Sequence, residues 1–340
     1  MRTTSSPLDQ PSRIASAPYR RIGGPAASLP AALAGIRRAI ESTAGRVDYY
    51  SSDTRNGRPL LLIHSVNAAG SAAEMRPLFE HYASRRPVYA MELPGFGASE
   101  RTPRDYTPRL MTDAVLAMQI EIARRHGSVP IDALALSLGC EYLARAANEA
   151  PSAFNSLALV SPTGFEGGDK RRGARCGSRE SRLLHALLAR TWLGSTLYAL
   201  LVRPRVIRYF LERTWGSKAI DETLLAYNVV TTHMPGALYA PLAFLAAQPF
   251  SADANNVYDD VVHPVWLAHG VRGSFVDFEG ARHLLRSARW SSTAFQTGAM
   301  PHFEVPAQFV QQYDAFLQRC VLHSNDATRG RFEPTAGARA

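Results

Sequence analysis

The sequence is poor in cysteine and lacks any uninterrupted apolar run long enough to cross a bilayer. Cys140, Cys176 and Cys320 are the only three thiols in 340 residues. Their spacing fits neither a metal site nor an even-numbered disulfide framework, the pattern of a reducing compartment, so a cytoplasmic location is expected. The uncharged stretch Thr191 to Val202 is shorter than the roughly 20 residues that a spanning helix needs. The longer one, Met234 to Ala252, is broken by Pro235, Pro241 and Pro249. The first thirty residues contain no apolar segment followed by a small-residue cleavage site, so a secretory signal is not expected. No internal repeat is present. No grouping of His, Cys and carboxylates has ligand spacing, so neither a metal nor another cofactor is expected.

What is present is apolar mass. With 46% hydrophobic and 20% charged residues the chain is globular for most of its length. Thirty-eight Lys and Arg against twenty-nine Asp and Glu give +9, and the excess is concentrated. From Phe165 to Trp215 there are eleven basic residues and four acids, a net of +7. Such a run is ordinarily a solvated face. It also suits the phosphate or carboxylate of a coenzyme A or carrier-protein thioester, or an anionic membrane surface, which is the less favoured partner. No recognition motif accompanies the charge, so nucleic acid is not an expected partner. The oligomeric state is left open.

Apolar runs of strand length alternate with helical stretches. Pro59 to His64, Pro87 to Glu92, Ile131 to Leu136, Ser156 to Val160, Pro264 to His269 and a short run near Ala294 to Thr297 read as strands. Between and after them, Ala72 to Tyr82, Pro108 to His126, Gly139 to Glu149, Phe278 to Arg286 and Pro306 to Leu317 read as helices. Strands and helices in this order predict parallel βαβ units, hence an α/β fold with a mostly parallel sheet covered on both faces. The pattern divides the chain into an N-terminal arm with one helix, through Leu33, Ile36 and Ile40, in residues 1–45. A core follows in residues 46–164 and 255–322, with a helical basic insertion in residues 165–254 and a disordered tail in residues 323–340.

The sharpest local signal is Ala135-Leu136-Ser137-Leu138-Gly139, between an apolar strand and a helix. A serine there sits on a tight strand-to-helix turn, which demands small residues two places before and two after it. Met300-Pro301-His302-Phe303-Glu304 lies between the last strand and the last helix, after the serine in sequence. A serine hydroxyl needs a neighbouring imidazole to take its proton during attack, and among ten histidines His302 is the best placed. His64 reads as a loop anchor and His269 as a local packing residue.

Four landmarks taken together resemble the α/β-hydrolase superfamily over about residues 46 to 320. They are Leu61-Leu62-Ile63-His64-Ser65-Val66, Leu93-Pro94-Gly95-Phe96-Gly97-Ala98-Ser99, the Ser137 elbow and the His302 loop. The resemblance implies a serine hydrolase acting through an acyl-Ser137 intermediate, with His302 as general base. Backbone N–H groups of Val66 and Leu138 would form the oxyanion hole, and the insertion would be a cap over the site. It implies a carboxylic ester of a hydrophobic small molecule as substrate, with thioester and carbon–carbon bond hydrolysis open. Ser65, Asn67 and Phe165 are expected to line the pocket, with some of the cap leucines above Ser137.

The chain departs from the family at the triad acid. Gly273 stands where relatives carry an aspartate, and Asp277, four residues later, is the nearest candidate to orient His302. Asp277 would equally cap the helix expected to follow it. Without an acid, a non-hydrolytic binding protein, cyclase or lyase on the same scaffold is the alternative.

Overall fold

The chain is described here by a computed structural model covering residues 29–166, 173–190 and 192–329. The first part of the expected arm, the outer tail and residues 167–172 lie outside it. Leucine-rich and β-branched runs form the strands at the centre. These are β3 (Leu60–Ile63), β4 (Val88–Met91), β5 (Ile131–Leu136), β6 (Phe154–Val160) and β7 (Val265–Gly270), and they pair in parallel. With β1 (Ile36–Ser42), β2 (Gly45–Ser51) and β8 (Trp290–Phe295) they make one eight-stranded sheet in the order β1-β2-β4-β3-β5-β6-β7-β8. Only β1 with β2 and β2 with β4 run antiparallel.

Alternate residues of each central strand feed opposite layers, as the two-residue period of a strand requires. Leu61, Ile63, Ala133, Ala135, Leu157 and Leu159 join the core under α2 (Pro108–His126) and α3 (Gly139–Glu149). Leu60, Leu62, Leu134, Leu136, Ala158 and Val160 face α1 (Arg76–Tyr82) and the last helix. On that side Trp266 stacks on Tyr313 at 5.5 Å and 16°. Strand order reverses between β3 and β5. The chain leaves β3 toward β4 and leaves β5 toward β6, which opens a crevice beyond their carboxyl ends.

Three expectations are corrected. Residues 36–42 are a strand. Ser42 pairs with Gly45 across the two-residue loop Thr43-Ala44, and Ile40 lies opposite Val47, so a partner strand within reach outweighs the weak helical spacing. Phe278 to Arg286 forms two short 3-10 turns, Glu279–Ala281 and Leu284–Arg286, in place of a helix. The last helix does not stop at Leu317, as it continues to Arg329, into the segment expected to be a disordered tail.

Between β6 and β7 lie α4 (Arg182–Arg190), α5 (Trp192–Leu201), α6 (Pro204–Trp215), α7 (Glu222–Thr232), α8 (Tyr239–Leu245) and α9 (Ala254–Asp259). The first five share a small apolar cluster of their own, including Leu188, Tyr198, Ile207, Leu225 and Leu242. Polar ties anchor them to the sheet domain. Arg145 of α3 pairs with Asp253 at 2.7 Å, both side chains being buried, and also reaches Ser251 Oγ at 3.2 Å. Tyr142 Oη donates to the Pro249 carbonyl at 2.9 Å, and Arg101 donates to the Thr231 carbonyl at 2.7 Å. The order is completed by α10 (Pro301–Glu304) and α11 (Pro306–Arg329).

Candidate active site

Ser137 occupies the turn between β5 and α3 at the reversal of strand order, with φ 53°, a left-handed conformation that few non-glycine residues adopt. Its N–H donates to the Val160 carbonyl at 2.8 Å, and its carbonyl accepts the Cys140 N–H at 3.0 Å. The small residues around it have a packing cause. A Cβ at Gly139 would come within 2.7 Å of the His64 carbonyl, and Ala135 is completely buried in the sheet. Ser137 itself is half-buried, and its Oγ makes no hydrogen bond among the described residues. The N–H groups of Val66 and Leu138 likewise meet no acceptor there, although both residues are buried. Backbone N–H groups left without an acceptor are the kind of donor that an oxyanion site requires.

The loop carrying Val66 is held from behind. His64 Nε2 accepts the Leu93 N–H at 2.9 Å, so its proton is on Nδ1, which donates to the Ser65 carbonyl at 2.6 Å. Complete burial pushes this imidazole down to about 4 and the neighbouring Glu92 carboxyl up to about 8. Both shifts disfavour the charged form, so burial works against an ion pair across their 3.7 Å approach. His64 is thus the loop anchor that the sequence suggests.

Ser65 and Asn67 serve the same scaffold. Glu74, which sequence reasoning did not single out, accepts from Ser65 N–H at 2.8 Å, Ser65 Oγ at 3.0 Å and Asn67 Nδ2 at 2.9 Å. Its buried carboxyl is raised by desolvation, and the donors around it pull the other way. The available signal was a carboxylate inside an otherwise small and apolar run after the His64 loop. Glu74→Ala would strand the Ser65 N–H and leave a void. A loss of about 2–4 kcal/mol in chemical unfolding is expected, and a smaller one for Glu74→Gln, which fills the void and keeps one acceptor but turns its NH2 toward a donor.

His302 makes no hydrogen bond with Ser137 among the described residues. The ring is fully buried against Phe303 and Phe309, and its Nε2 donates to the Glu74 carbonyl at 2.8 Å. Its Nδ1 is left without a partner. A general base needs a free nitrogen lone pair at the hydroxyl and an acid on the other nitrogen. Here one nitrogen is spent on a carbonyl and the other is sealed in the core. Burial lowers this imidazole to about 4. Asp277 makes no hydrogen bond with His302, and its Oδ1 accepts the Glu279 N–H at 3.1 Å, entering the first 3-10 turn as a cap does. Phe165, expected to line the pocket, is in the core under α3. It is 1% exposed and stacked on Tyr258 at 4.6 Å, and its carbonyl accepts the Gly280 N–H.

Ala299 is the residue that the loop before α10 ties to the elbow's surroundings. Its carbonyl accepts from Ser161 Oγ at 2.8 Å, and Ser161 follows Val160, the acceptor for Ser137 N–H. The C-terminal end of α6 closes over this region. Ala299 N–H donates to the Thr214 carbonyl at 2.9 Å. A Cβ at Gly298 would meet the Trp215 carbonyl at 2.4 Å, and one at Gly273 would meet the Arg213 carbonyl at 2.8 Å. The two loops expected to supply base and acid are therefore packed on a helix end. Of the insertion leucines expected above Ser137, Leu183, Leu184, Leu187, Leu197 and Leu200 are exposed and Leu188 packs within the insertion's cluster. Where α7 approaches the loop after β3, a gap of 10 Å³ remains among Ala69, Gly70, Phe96, Arg101 and Thr232, room for about one water.

The family model of the alpha/beta hydrolase fold matches residues 58–176. Among curated proteins none matches. Solved structures similar to this chain include a serine hydrolase involved in carbazole degradation, at 15% identity and TM-score 0.66, covering 84% of this chain and 99% of that one. A meta-cleavage product hydrolase aligns at 14% identity and TM-score 0.61, over 83% and 98% of the two chains. A thermophilic esterase from Thermogutta terrifontis aligns at 17% identity and TM-score 0.62, over 84% and 99%.

Proposed function

We propose that this chain, an α/β hydrolase by fold, uses Ser137 and the Val66 and Leu138 N–H groups to bind the carbonyl or carboxylate oxygen of an apolar small molecule, with no acyl-enzyme step driven by His302. The observation that carries this reading is the hydrogen bond from His302 Nε2 to the Glu74 carbonyl. Serine attack on a carbonyl requires something to accept the hydroxyl proton as the new bond forms. Among the described residues no imidazole is hydrogen-bonded to Ser137. Binding needs only the donors, and those are unspent.

A second reading is slow ester, thioester or carbon–carbon bond hydrolysis at Ser137. It is favoured by the left-handed backbone that presents the hydroxyl, and by an esterase and a meta-cleavage product hydrolase standing among the similar structures. A fluorophosphonate separates the two. Intact mass of the protein and of Ser137→Ala after an hour with the reagent is expected to show no adduct on either. Octanoate should bind the unmodified protein, and Ser137→Val should weaken that binding about tenfold, the worth of one hydrogen bond to a charged group. A stoichiometric adduct on the wild type alone would replace the binding reading with the hydrolytic one.

A further inference from the structure

The apolar residues of the insertion that do not face the site form a surface of their own. Leu183 at 88% exposure and Trp192 at 72% are the most open, joined by Leu184 and Leu187 of α4 and Leu193, Leu197 and Leu200 of α5. The ten residues of α5 contain no charge at all, yet only Gly194 and Tyr198 are buried. Arginines stand at both ends of this pair of helices. Arg182 begins α4, and Arg203 and Arg205 follow α5; all three are exposed and in no ion pair among the described residues. We infer that the α4–α5 face docks onto an anionic lipid bilayer, with Trp192 and the leucines entering the headgroup boundary and Arg182, Arg203 and Arg205 meeting lipid phosphates.

Charge selects the occupant. A helix pair with an apolar centre and basic ends has the composition of an interfacial membrane anchor, with tryptophan at the level of the headgroups. Residues 173–215 carry eight arginines against two glutamates. A second copy seated on the same face would bring that excess against itself. The chain's own ends are no better suited, since residues 1–28 hold four arginines and one aspartate, and residues 330–340 two arginines and one glutamate. Anionic lipid supplies both the apolar phase and the opposite charge. No helix among the described residues is long and apolar enough to cross a membrane, so the contact is peripheral. It would place the Ser137 site beside a source of apolar ligands, but it does not depend on what happens at Ser137.

Trp192 gives the test a built-in reporter, because Trp215, Trp266 and Trp290 are at most 6% exposed. The full chain is mixed with vesicles of phosphatidylcholine alone or with an equal part of phosphatidylglycerol, and floated on a density gradient. Flotation is expected with the anionic vesicles only, accompanied by a blue shift of tryptophan emission that Trp192→Phe removes. Each arginine lost in Arg203→Glu and Arg205→Glu should weaken binding about fivefold or more, and 0.5 M salt should release the protein. These side chains are exposed, so circular dichroism and the melting temperature should not move. Absence of flotation would overturn the inference. So would binding that survives both Trp192→Asp and the double arginine variant, or concentration-dependent dimerisation of the wild type that Trp192→Asp abolishes.

Discussion

His302→Gln is expected to leave any ester turnover of the protein within about twofold of wild type. Loss of a working member of a Ser-His-Asp arrangement costs on the order of ten-thousandfold in the serine proteases. The expectation follows from where the ring's two nitrogens are, one on the Glu74 carbonyl and one unpartnered in the core. A drop of a hundredfold or more, with the melting temperature unchanged, would show that this imidazole reaches the serine in solution. The same burial sets a different dependence on acid. His302 is held down to about 4 in the folded chain, against roughly 6.5 when unfolded. The stability this contributes is complete above pH 6.5 and is lost as pH falls toward 4, because the unfolded chain takes up a proton that the native ring refuses. The loss is on the order of 3 kcal/mol and should be missing from the pH dependence of His302→Gln. Urea midpoints of the two proteins at pH 7 and pH 4 measure it as a difference, in which contributions from His64 and Glu92 cancel.

Asp253→Ala is expected to destabilise the protein by about 3–5 kcal/mol, the ordinary cost of stranding a buried charge. Arg145 would lose both of its carboxylate contacts, at 2.7 and 3.2 Å, and the Cys176 N–H would lose its acceptor at 3.0 Å. The pair joins α3, which starts at the elbow, to the segment that returns from the insertion to β7. Replacing both partners with Arg145→Met and Asp253→Leu removes the stranded charge, and most of the stability should return. Chemical unfolding of the two single variants and the double completes the cycle. Near-additive losses would mean that the two residues act independently, against the bidentate geometry.

Much of the sheet was readable because buried parallel strands are nearly continuous apolar runs, and the helices between them begin at marked places. Pro108 opens α2 behind the cap residue Thr107, whose side chain accepts the Leu110 N–H, and the helix ends at Gly127. The elbow was readable for a similar reason, since a tight turn against the β3 loop tolerates only small neighbours. β1 was not, because its pairing with β2 is decided by a partner strand and a two-residue loop rather than by its own spacing. For His302, what sequence order does not supply is the direction of the ring. Order along the chain places a histidine between the last strand and the last helix, but the ring turns toward a carbonyl supplied 228 residues earlier by the segment before α1. The same holds for Asp277, which accepts the Glu279 N–H, and for Phe165, which stacks on Tyr258. That the end of α6 covers the Gly273 and Gly298 loops depends on contacts between distant segments, which no local pattern records.

At φ 53° the Cβ of Ser137 crowds its own carbonyl, a conformation that holds about 1–2 kcal/mol of strain in a residue other than glycine. The hydrogen bonds at Val160 and Cys140 keep the backbone in that state whether or not a ligand is present. The Cα–Cβ bond is therefore already directed when a ligand arrives, and at that residue only rotation about χ1 remains to be fixed on binding. At the elbow itself the backbone should therefore look the same empty and filled.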